Sequence, residues 1–427
     1  MMGIMIIFER NKPRNLLVWT IIFISTQLIG YFIYIISRIF ITKKRNIMLV
    51  KCKEDEIYKA LSKNALYNNS LNLNTELLQF NFRAFDAQTT ENNNYEFFNS
   101  YNEFKEDLIK TIKKATKSVL LQVSSINKND FEPIKESLIE KAKNDILVKL
   151  VYNASINSKV IKQLKESGAK VYKFSKYNSF NRTYNNLKNV LVVDGETCYL
   201  GNFKTNTKQL SGDYDVCDCL LKLKGDMVQS ISLNLHNDII FASGKYMEYY
   251  AKETTIKNNS VMQYVVNTHE QNIELSIIKA ISLATKSVQL LVDEFIPTDS
   301  IKSLLNFAIK SNIDVKLMVP LRANDKRKFY ASRAFAKELA LLGAKVYLYD
   351  GYIRFNSIVV DDEYVLYGNF ELDKEQMTSS LQNILIIKDV QAVNHMNKLF
   401  SDSINNSYKI NNANYMLLRE KIFKNFV

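Results

Sequence analysis

The second half of this 427-residue chain repeats short segments of the first half in the same order. The repeated segments are Ala-Thr-Lys-Ser-Val (115–119 and 284–288), Val-Lys-Leu (148–150 and 315–317) and Gly-Ala-Lys-Val-Tyr (168–172 and 343–347). The two Val-Lys-Leu copies lie 167 residues apart, and the same offset separates Asp194 from Asp361 and Gly201 from Gly368. An internal duplication with two copies predicts a pseudo-twofold pair of similar halves, not a solenoid.

Each half alternates strand-like and helix-like segments. In the first half the apolar spacing predicts helices near 104–115, 131–142 and 159–166, and strands at 118–123, 146–152 and 170–174. This alternation predicts an α/β fold in which each half holds a mixed, mostly parallel sheet flanked by helices. We place the first half at 95–258 and the second at 259–427, after a polar, Asn-rich linker at 46–94.

Residues 1–45 have the character of an N-terminal membrane anchor. Leu16 to Ile36 is an uncharged run of 21 residues, and a helix that spans a bilayer needs about 20 apolar residues. We therefore predict a transmembrane helix at about 16–37, with a buried core helix as the alternative. More basic residues follow the run than precede it, so the positive-inside rule predicts a single-pass protein of the cell membrane with a cytoplasmic main body.

The composition favours anionic partners and gives no sign of a metal site. The chain has 57 Lys and Arg against 44 Asp and Glu, a net charge of +13, which suits membrane lipid or nucleic acid. Its four cysteines have neither the pattern of a disulfide framework nor the spacing of a zinc site. We predict no cofactor and no metal, and the free thiols fit a reducing compartment.

A repeated hairpin is the candidate site. In the first half an apolar strand at 190–193 leads through a turn at Asp194-Gly195 to a second strand that ends at Gly201. The second half repeats this layout from Arg354 through Asp361-Asp362 to Gly368-Asn369. Two copies of one hairpin in two related halves predict one site built from both.

With these hairpins the chain resembles the phospholipase D superfamily, and within it the bacterial cardiolipin synthases. Further similar segments are the anchor with Gly30-Tyr31-Phe32-Ile33-Tyr34, Phe295-Ile296-Pro297-Thr298-Asp299, Val319-Pro320 followed by Asp325, and Ala331-Ser332-Arg333. The resemblance implies that each half supplies a His-x-Lys-x4-Asp motif with a later Gly and Asn. In that chemistry one imidazole attacks phosphorus and the other protonates the leaving alcohol, while the Lys and Asn side chains hold the phosphate oxygens.

Neither copy of this motif is intact. The His, Lys and Asp positions hold Leu187, Asn189 and Asp194 in the first half and Arg354, Asn356 and Asp361 in the second, and the later Asn positions fall at about Lys204 and Glu371. A one-residue shift recovers Lys188 but no histidine. The three histidines of the chain are His236, His269 and His395, and none is near either hairpin in sequence.

The remaining polar residues each have two interpretations. The resemblance implies that Asp194 and Asp361 orient imidazoles, but both residues also suit tight turns, which we favour because no imidazole remains. Arg354, Lys188 and Lys204 are candidate anion-binding residues, since a guanidinium can bind a lipid headgroup bidentately. A solvated or ion-paired arginine is the alternative for Arg354.

Three functions follow, in order of preference. The first is a membrane-anchored, cardiolipin synthase-like pseudoenzyme of phospholipid metabolism that binds anionic phospholipid (phosphatidylglycerol or cardiolipin) or partners an active relative. The second is an active cardiolipin synthase, which would convert two phosphatidylglycerols to cardiolipin and glycerol. The third is a nucleic-acid-binding phospholipase D-like protein, which the anchor disfavours.

Overall fold

A computed structural model describes residues 13–26, 29–30, 32–35, 75–124, 128–153, 158–174, 185–203, 215–244, 256, 260–267, 271–323, 325–410 and 417–426. The N-terminal part of this chain forms helix α1 (Pro13–Thr26), and the ring of Trp19 packs edge-on against that of Tyr34. Among the described residues, no helix combines the length and the apolar character that crossing a membrane requires. The transmembrane helix predicted at 16–37 is therefore not confirmed, and residues 27, 28, 31, 36 and 37 of that segment lie outside the described residues.

The end of the predicted linker is structured. Residues 75–94 include helix α2 (Glu76–Phe85) and strand β1 (Thr89–Thr90). Leu77 and Leu78 of α2 are buried in the core of the second half, and β1 pairs with the first strand of that half. The linker interpretation is wrong for these residues, because the Asn-rich composition concealed an amphipathic helix whose apolar face needs a partner.

Each half contains one large sheet with helices. The elements of the first half are β2 (Asn93–Phe98), α3 (Tyr101–Lys114), β3 (Ser118–Val123), α4 (Lys128–Lys143), β4 (Leu147–Tyr152), α5 (Ser158–Glu166), β5 (Lys170–Lys173), β6 (Asn185–Asn186), β7 (Val190–Val193), β8 (Thr197–Leu200), β9 (Asp215–Cys217), β10 (Leu220–Gly225) and α6 (Met227–Ser243). Those of the second half are β11 (Val261–Val266), α7 (Asn272–Ser282), β12 (Ser287–Leu291), β13 (Phe295–Ile296), α8 (Asp299–Lys310), β14 (Asp314–Pro320), α9 (Lys326–Leu341), β15 (Lys345–Tyr349), β16 (Gly351–Ile353), β17 (Asn356–Val360), β18 (Tyr364–Gly368), β19 (Leu372–Asp373), α10 (Lys374–Ser379), β20 (Ser380–Leu381), β21 (Asn383–Lys388), α11 (Val390–Ile404), β22 (Ser407–Lys409) and α12 (Leu418–Phe426). The helices and strands predicted between 104 and 174 are confirmed, with ends shifted by at most three residues.

The two sheets match strand for strand. The first has the order β2-β10-β8-β7-β3-β4-β5, and the second has the equivalent order β11-β21-β18-β17-β12-β14-β15 with β1 and β22 added at its edges. Equivalent strands in the same order confirm the duplication inferred from the repeated segments.

The prediction of mostly parallel sheets is wrong. Only the neighbours β3-β4-β5 and β12-β14-β15 run parallel in the two described sheets, and the other neighbouring strands are antiparallel. Helical crossovers impose the parallel pairs, whereas the hairpin β7-β8 and its copy β17-β18 impose antiparallel ones. The helix–strand alternation that suggested a parallel sheet covers only part of each half.

The halves share an inner core. Helices α6 and α11 contribute to one buried cluster that also takes residues from the facing sides of both sheets, including Val192 and Val359. The outer faces of the sheets are covered separately, by α3 to α5 in the first half and by α7 to α9 in the second. The sandwich therefore brings the two candidate hairpins to the boundary between the halves.

Two short parallel ladders cross that boundary. Strand β6 pairs with β20, and β16 pairs with β9, so that each ladder takes one strand from each half. Strands β6 and β16 directly precede the two hairpins at equivalent positions. The ladders fix the start of each hairpin against the other half.

Candidate functional site

The two aspartates at the hairpin turns bind the repeated Ala-Thr-Lys-Ser segment. The carboxylate of Asp194 accepts hydrogen bonds from the backbone amides of Thr116, Lys117 and Ser118, each at 2.8 Å, and from the Thr116 hydroxyl at 3.0 Å. Burial alone would raise the pKa of Asp194, but these amides outweigh it and hold the pKa below its usual value. Its backbone φ of 55° suits a tight turn.

Asp361 repeats this arrangement in the second half. Its carboxylate accepts from the amides of Thr285 at 2.6 Å and of Lys286 and Ser287 at 2.8 Å, with the Thr285 hydroxyl at 2.8 Å. Burial again opposes these bonds, which nevertheless lower the pKa of Asp361. Both aspartates thus fasten the start of the central strand to the hairpin. The segment that each aspartate binds is the Ala-Thr-Lys-Ser sequence that both halves repeat verbatim.

Asparagines hold the positions of the motif lysines. The side-chain oxygen of Asn189 accepts from the Ser124 amide at 2.9 Å and from the Ser124 hydroxyl at 3.0 Å. In the second half Asn356 accepts from the Asp293 amide at 2.8 Å and donates to the carbonyl of Phe370. Both side chains are buried and tie the hairpin to the end of the neighbouring strand.

The motif-histidine positions hold an aliphatic side chain and a paired cation. Leu187 is half-buried, and its amide donates to the Leu381 carbonyl at 2.9 Å beside the β6-β20 ladder. Arg354 is only 4% exposed and binds Asp218 of the first half bidentately, with Nε donating to Oδ1 at 2.7 Å and Nη2 donating to Oδ2. Its guanidinium also lies 5.4 Å from the centre of the Tyr101 ring.

The ion pair decides between the two interpretations of Arg354. Asp218 neutralises the guanidinium, and burial of the pair removes it from the surface at which a headgroup would arrive. The structure therefore favours an ion-paired arginine, as in the alternative above. Sequence reasoning missed Asp218, which precedes Arg354 by 136 residues.

Lys188, the second candidate anion-binding residue, does not add a free cation. Lys188 is 2% exposed, forms a salt bridge with Asp238 of α6 and donates to the Asn234 side chain at 2.8 Å. Asp238 also accepts from Gln122 at 2.8 Å and from Asn186 at 3.2 Å. Lys188 is thus held inside the first half, and Lys204 lies outside the described residues.

The two hairpins contact each other through the second half's glycine-asparagine end. Asn369 accepts from the Asn189 amide and donates to the Gly201 carbonyl, both at 3.1 Å. Tyr367 donates to the carbonyl of Cys219 at 2.8 Å. A Cβ at residue 201 would lie 3.0 Å from the Tyr367 hydroxyl at a φ of +141°, so glycine is required there. The two hairpins therefore meet at the boundary between the halves, and a functional site built from both stays a prediction.

A carboxylate cluster surrounds Lys328 beside the second hairpin. Lys328 Nζ lies 2.7 Å from Glu294, 3.1 Å from Asp373 and 3.4 Å from Glu371. Burial raises the pKa of Glu294 to about 8, an effect that Lys328 opposes and Glu371 reinforces. Burial alone would lower the pKa of Lys328, but the three carboxylates raise it well above its usual value. Glu371 and Asp373 against the single cation Lys328 leave this pocket with a negative balance.

Both described histidines belong to helices and not to either hairpin. His236 is buried within α6, and His395 of α11 stacks on Phe97 with 4.8 Å between ring centres. His269 lies outside the described residues. Within the described part of the chain, no group of three or more His, Cys, Asp or Glu side chains is arranged to hold a metal ion.

Comparisons with known proteins agree with this architecture. A family model described as "Cardiolipin synthase, PLD-like domain" matches residues 277–404, from α7 to the end of α11. The cardiolipin synthase of Clostridium perfringens (strain SM101 / Type A) is 26% identical over 423 residues, covering 92% of this chain and 88% of that protein. The major cardiolipin synthase ClsA of Bacillus subtilis (strain 168) is 26% identical over 451 residues, covering 97% and 92%. Residues 277–404 thus match a phospholipase D-like domain, and the chain is similar to cardiolipin synthases over most of its length.

A solved structure supports the fold alone. The phosphatidylserine synthase of Haemophilus influenzae Rd KW20 superposes with a TM-score of 0.61 at 14% identity, covering 78% of this chain and 92% of that one. At such low identity the superposition supports a shared arrangement of helices and strands and says nothing about the chemistry.

The carboxylate cluster lies close to two positions of the second motif. Glu371 stands at about the later Asn position of the second motif, and Glu294 precedes the Phe295-Ile296-Pro297 segment. Asn356, at the motif Lys position, joins both neighbourhoods through the Asp293 amide and the Phe370 carbonyl. Carboxylates therefore stand next to the place where this motif would hold phosphate oxygens.

Proposed function

We propose that this cardiolipin synthase-like chain is a membrane-attached pseudoenzyme that does not transfer phosphatidyl groups. The observation that carries the proposal is the pairing of Arg354 with Asp218, because it fills one nucleophile position with a neutralised, buried cation. A guanidinium in that state neither attacks phosphorus nor returns a proton to a leaving alcohol, since arginine stays protonated.

No residue at the described motif positions of the first half substitutes for the lost imidazole. Leu187 has no group that exchanges a proton, and the amide of Asn189 carries no charge to balance a phosphate oxygen. Lys188 has the needed charge but is paired with Asp238. Removing one member of a catalytic set costs several orders of magnitude in rate, and here both histidine and both lysine positions are substituted.

The second half opposes phosphate binding electrostatically. A phosphodiester is anionic, and Glu371 adds negative charge directly after Phe370, whose carbonyl binds Asn356, while it shares the cation Lys328 with Asp373. Like charges in a partly buried pocket repel more strongly than in water. Both halves thus argue against turnover of phosphatidylglycerol at this site.

The chain retains the features that favour a membrane role. The uncharged run Leu16 to Ile36 and the net charge of +13 support attachment to an anionic bilayer with the main body in the cytoplasm. Its curated relatives are named cardiolipin synthases. We infer a role beside such an enzyme, as a partner of an active relative in phospholipid metabolism.

The test is a cardiolipin assay on the purified full chain. Protein in detergent is incubated with phosphatidylglycerol, and the lipids are separated by thin-layer chromatography beside the Clostridium perfringens enzyme as a positive control. We expect no cardiolipin from this chain. A matched preparation with Arg354→Met and Asp218→Leu controls for a co-purified host enzyme. Turnover that is present in the natural chain and absent from this variant would overturn the proposal.

Partnership is tested separately. The tagged chain is produced in cells with an active cardiolipin synthase and isolated from detergent-solubilised membranes. We expect the synthase to co-purify in a fixed ratio with the chain and not with an unrelated single-pass protein. Recovery of the chain alone would reject the partner role while leaving the absence of turnover in place.

A further inference from the structure

The C-terminal helix α12 is fastened to the second half mainly by polar contacts. Glu420 is completely buried and accepts two hydrogen bonds from Lys337 of α9, at 2.7 and 3.0 Å. Lys424, one turn after Glu420, pairs with Glu338, the residue that follows Lys337 on α9, and the ring of Phe423 stacks on Tyr330 with 5.9 Å between centres. One side of α12 is therefore fixed in orientation against α9.

The opposite side of α12 is apolar and exposed. Leu418 is 73% exposed and Ile422, one turn later on the same face, is 42% exposed. Leu417, just before the helix, is 41% exposed. At 100° per residue, the direction midway between Leu418 and Ile422 points about 180° away from Glu420. The apolar stripe therefore faces solvent because the buried acid fixes the other face inward.

Basic side chains border this stripe on both sides. The helical rotation places Arg419 on one flank and Lys421 on the other, and both are exposed. The only acid of the helix, Glu420, is committed to Lys337. Lys326, exposed on the face of α9 that carries Tyr330, adds a further positive charge nearby. The outward charge of α12 is thus entirely basic.

We propose that α12 is an interfacial helix through which the globular body rests on an anionic lipid surface. Leucine and isoleucine would enter the boundary between headgroups and acyl chains, and the flanking Arg419 and Lys421 would reach the headgroup phosphates. An acidic protein surface would satisfy the basic flanks but not the narrow apolar stripe between them. The inference extends the proposed membrane role by a second point of contact, distant in sequence from the N-terminal run.

A site-specific reporter tests this helix in the full chain. Trp19 is the single tryptophan, so Trp19→Phe with Leu418→Trp gives a protein whose fluorescence reports α12 alone. Trp19→Phe with Val390→Trp is the matched control, because Val390 is 70% exposed at the start of α11. Helix α11 follows β21, and three strands of the sheet separate β21 from β14, the strand under α9. Both proteins are reconstituted into vesicles of phosphatidylglycerol and phosphatidylcholine whose acyl chains are brominated or unmodified.

The expected result is a blue shift and strong quenching by brominated chains for the reporter at 418, with neither change at 390. Replacing phosphatidylglycerol by phosphatidylcholine should reduce the quenching, and so should Lys421→Glu. Equal responses at 418 and 390 in vesicles that contain the protein would overturn the inference and leave the proposed function untouched. A shift that needs high protein concentration and no lipid would assign the stripe to a second copy of the chain instead. Failure of the whole protein to enter vesicles would reject this inference together with the proposed membrane attachment, and would leave the proposed absence of turnover to the cardiolipin assay.

Discussion

Arg354 of the second half and Asp218 of the first bind each other bidentately at the boundary between the halves, with side chains that are 4% and 7% exposed. This pair occupies the place where the duplicated motif would put one of its two imidazoles. A buried pair of this kind fixes geometry more than it adds net stability, because desolvation offsets most of the attraction. Replacing one member of the pair should therefore lower stability, whereas replacing both should change it little.

Breaking the pair from one side should destabilise the fold. Arg354→Met leaves the Asp218 carboxylate buried without its cation, which typically costs about 3–5 kcal/mol. The double variant Arg354→Met with Asp218→Leu should recover most of that loss, since it buries two apolar side chains. Denaturant unfolding of the four proteins in the cycle measures the coupling. Equal stabilities for the single and double variants would contradict a buried, coupled pair.

The turn aspartates should contribute stability that disappears in acid. Amide hydrogen bonds lower the pKa of Asp194 in the folded state, so the unfolded state binds the proton more tightly. The contribution is therefore complete above the ordinary aspartate pKa of about 4 and is lost as pH falls through the lower folded value. Asp194→Asn should lower stability by about 1–2 kcal/mol at neutral pH and reduce the slope of stability below pH 4.

Asp361→Asn is the matched test in the second half, where Asp361 accepts hydrogen bonds from the three equivalent amides and one equivalent hydroxyl. Unfolding measured between pH 2 and 7 should show that Asp194→Asn and Asp361→Asn lower the free energy of unfolding by similar amounts at neutral pH. A stability curve that keeps its acid slope in both variants would show that the carboxylates titrate alike in the folded and unfolded states.

Glu294 should act in the opposite direction. Its folded pKa of about 8 lies above the ordinary glutamate value, so the folded state binds more protons between the two. The associated stability is fully present below the ordinary pKa and is lost as pH rises through about 8. Glu294→Gln should remove this fall, leaving the variant more stable than the natural chain at pH 9 and similar at pH 4. Glu363→Gln, an exposed acid paired with Lys388, controls for general charge, and equal pH slopes in all three proteins would contradict the prediction.

The sequence was a good guide to whatever repeats locally. The verbatim segments and the spacing of apolar residues were enough to predict the duplication and the elements between 104 and 174. Strand direction was not encoded in that spacing, since an antiparallel hairpin and a parallel crossover both use buried apolar strands. Helix α2 was not recognised within an Asn-rich stretch, because the apolar face of this short helix packs on the second half, which is distant in sequence.

The partners within the site depend on contacts that no sequence period reports. Asp218 and Asp238 neutralise Arg354 and Lys188 from 136 and 50 residues away, so the sequence did not identify the acid that pairs with either cation. Glu371 was visible at its motif position, but its grouping with Glu294 and Asp373 around Lys328 required the fold. The substituted motif positions are visible in the sequence, whereas the charged partners around them are visible only in the fold.

Restoring the four motif positions should not restore activity. The variant with Leu187→His, Asn189→Lys, Arg354→His and Asn356→Lys regains the reactive groups, but Arg354→His removes the bidentate partner of Asp218, and Glu371 still opposes an incoming phosphate. We expect cardiolipin formation only after Asp218→Asn and Glu371→Asn are added, because these changes remove the buried charge and supply an amide donor for phosphate oxygens. Both proteins are assayed with phosphatidylglycerol after circular dichroism confirms that they fold. Turnover by the four-position variant alone would show that the surrounding carboxylates do not block the site.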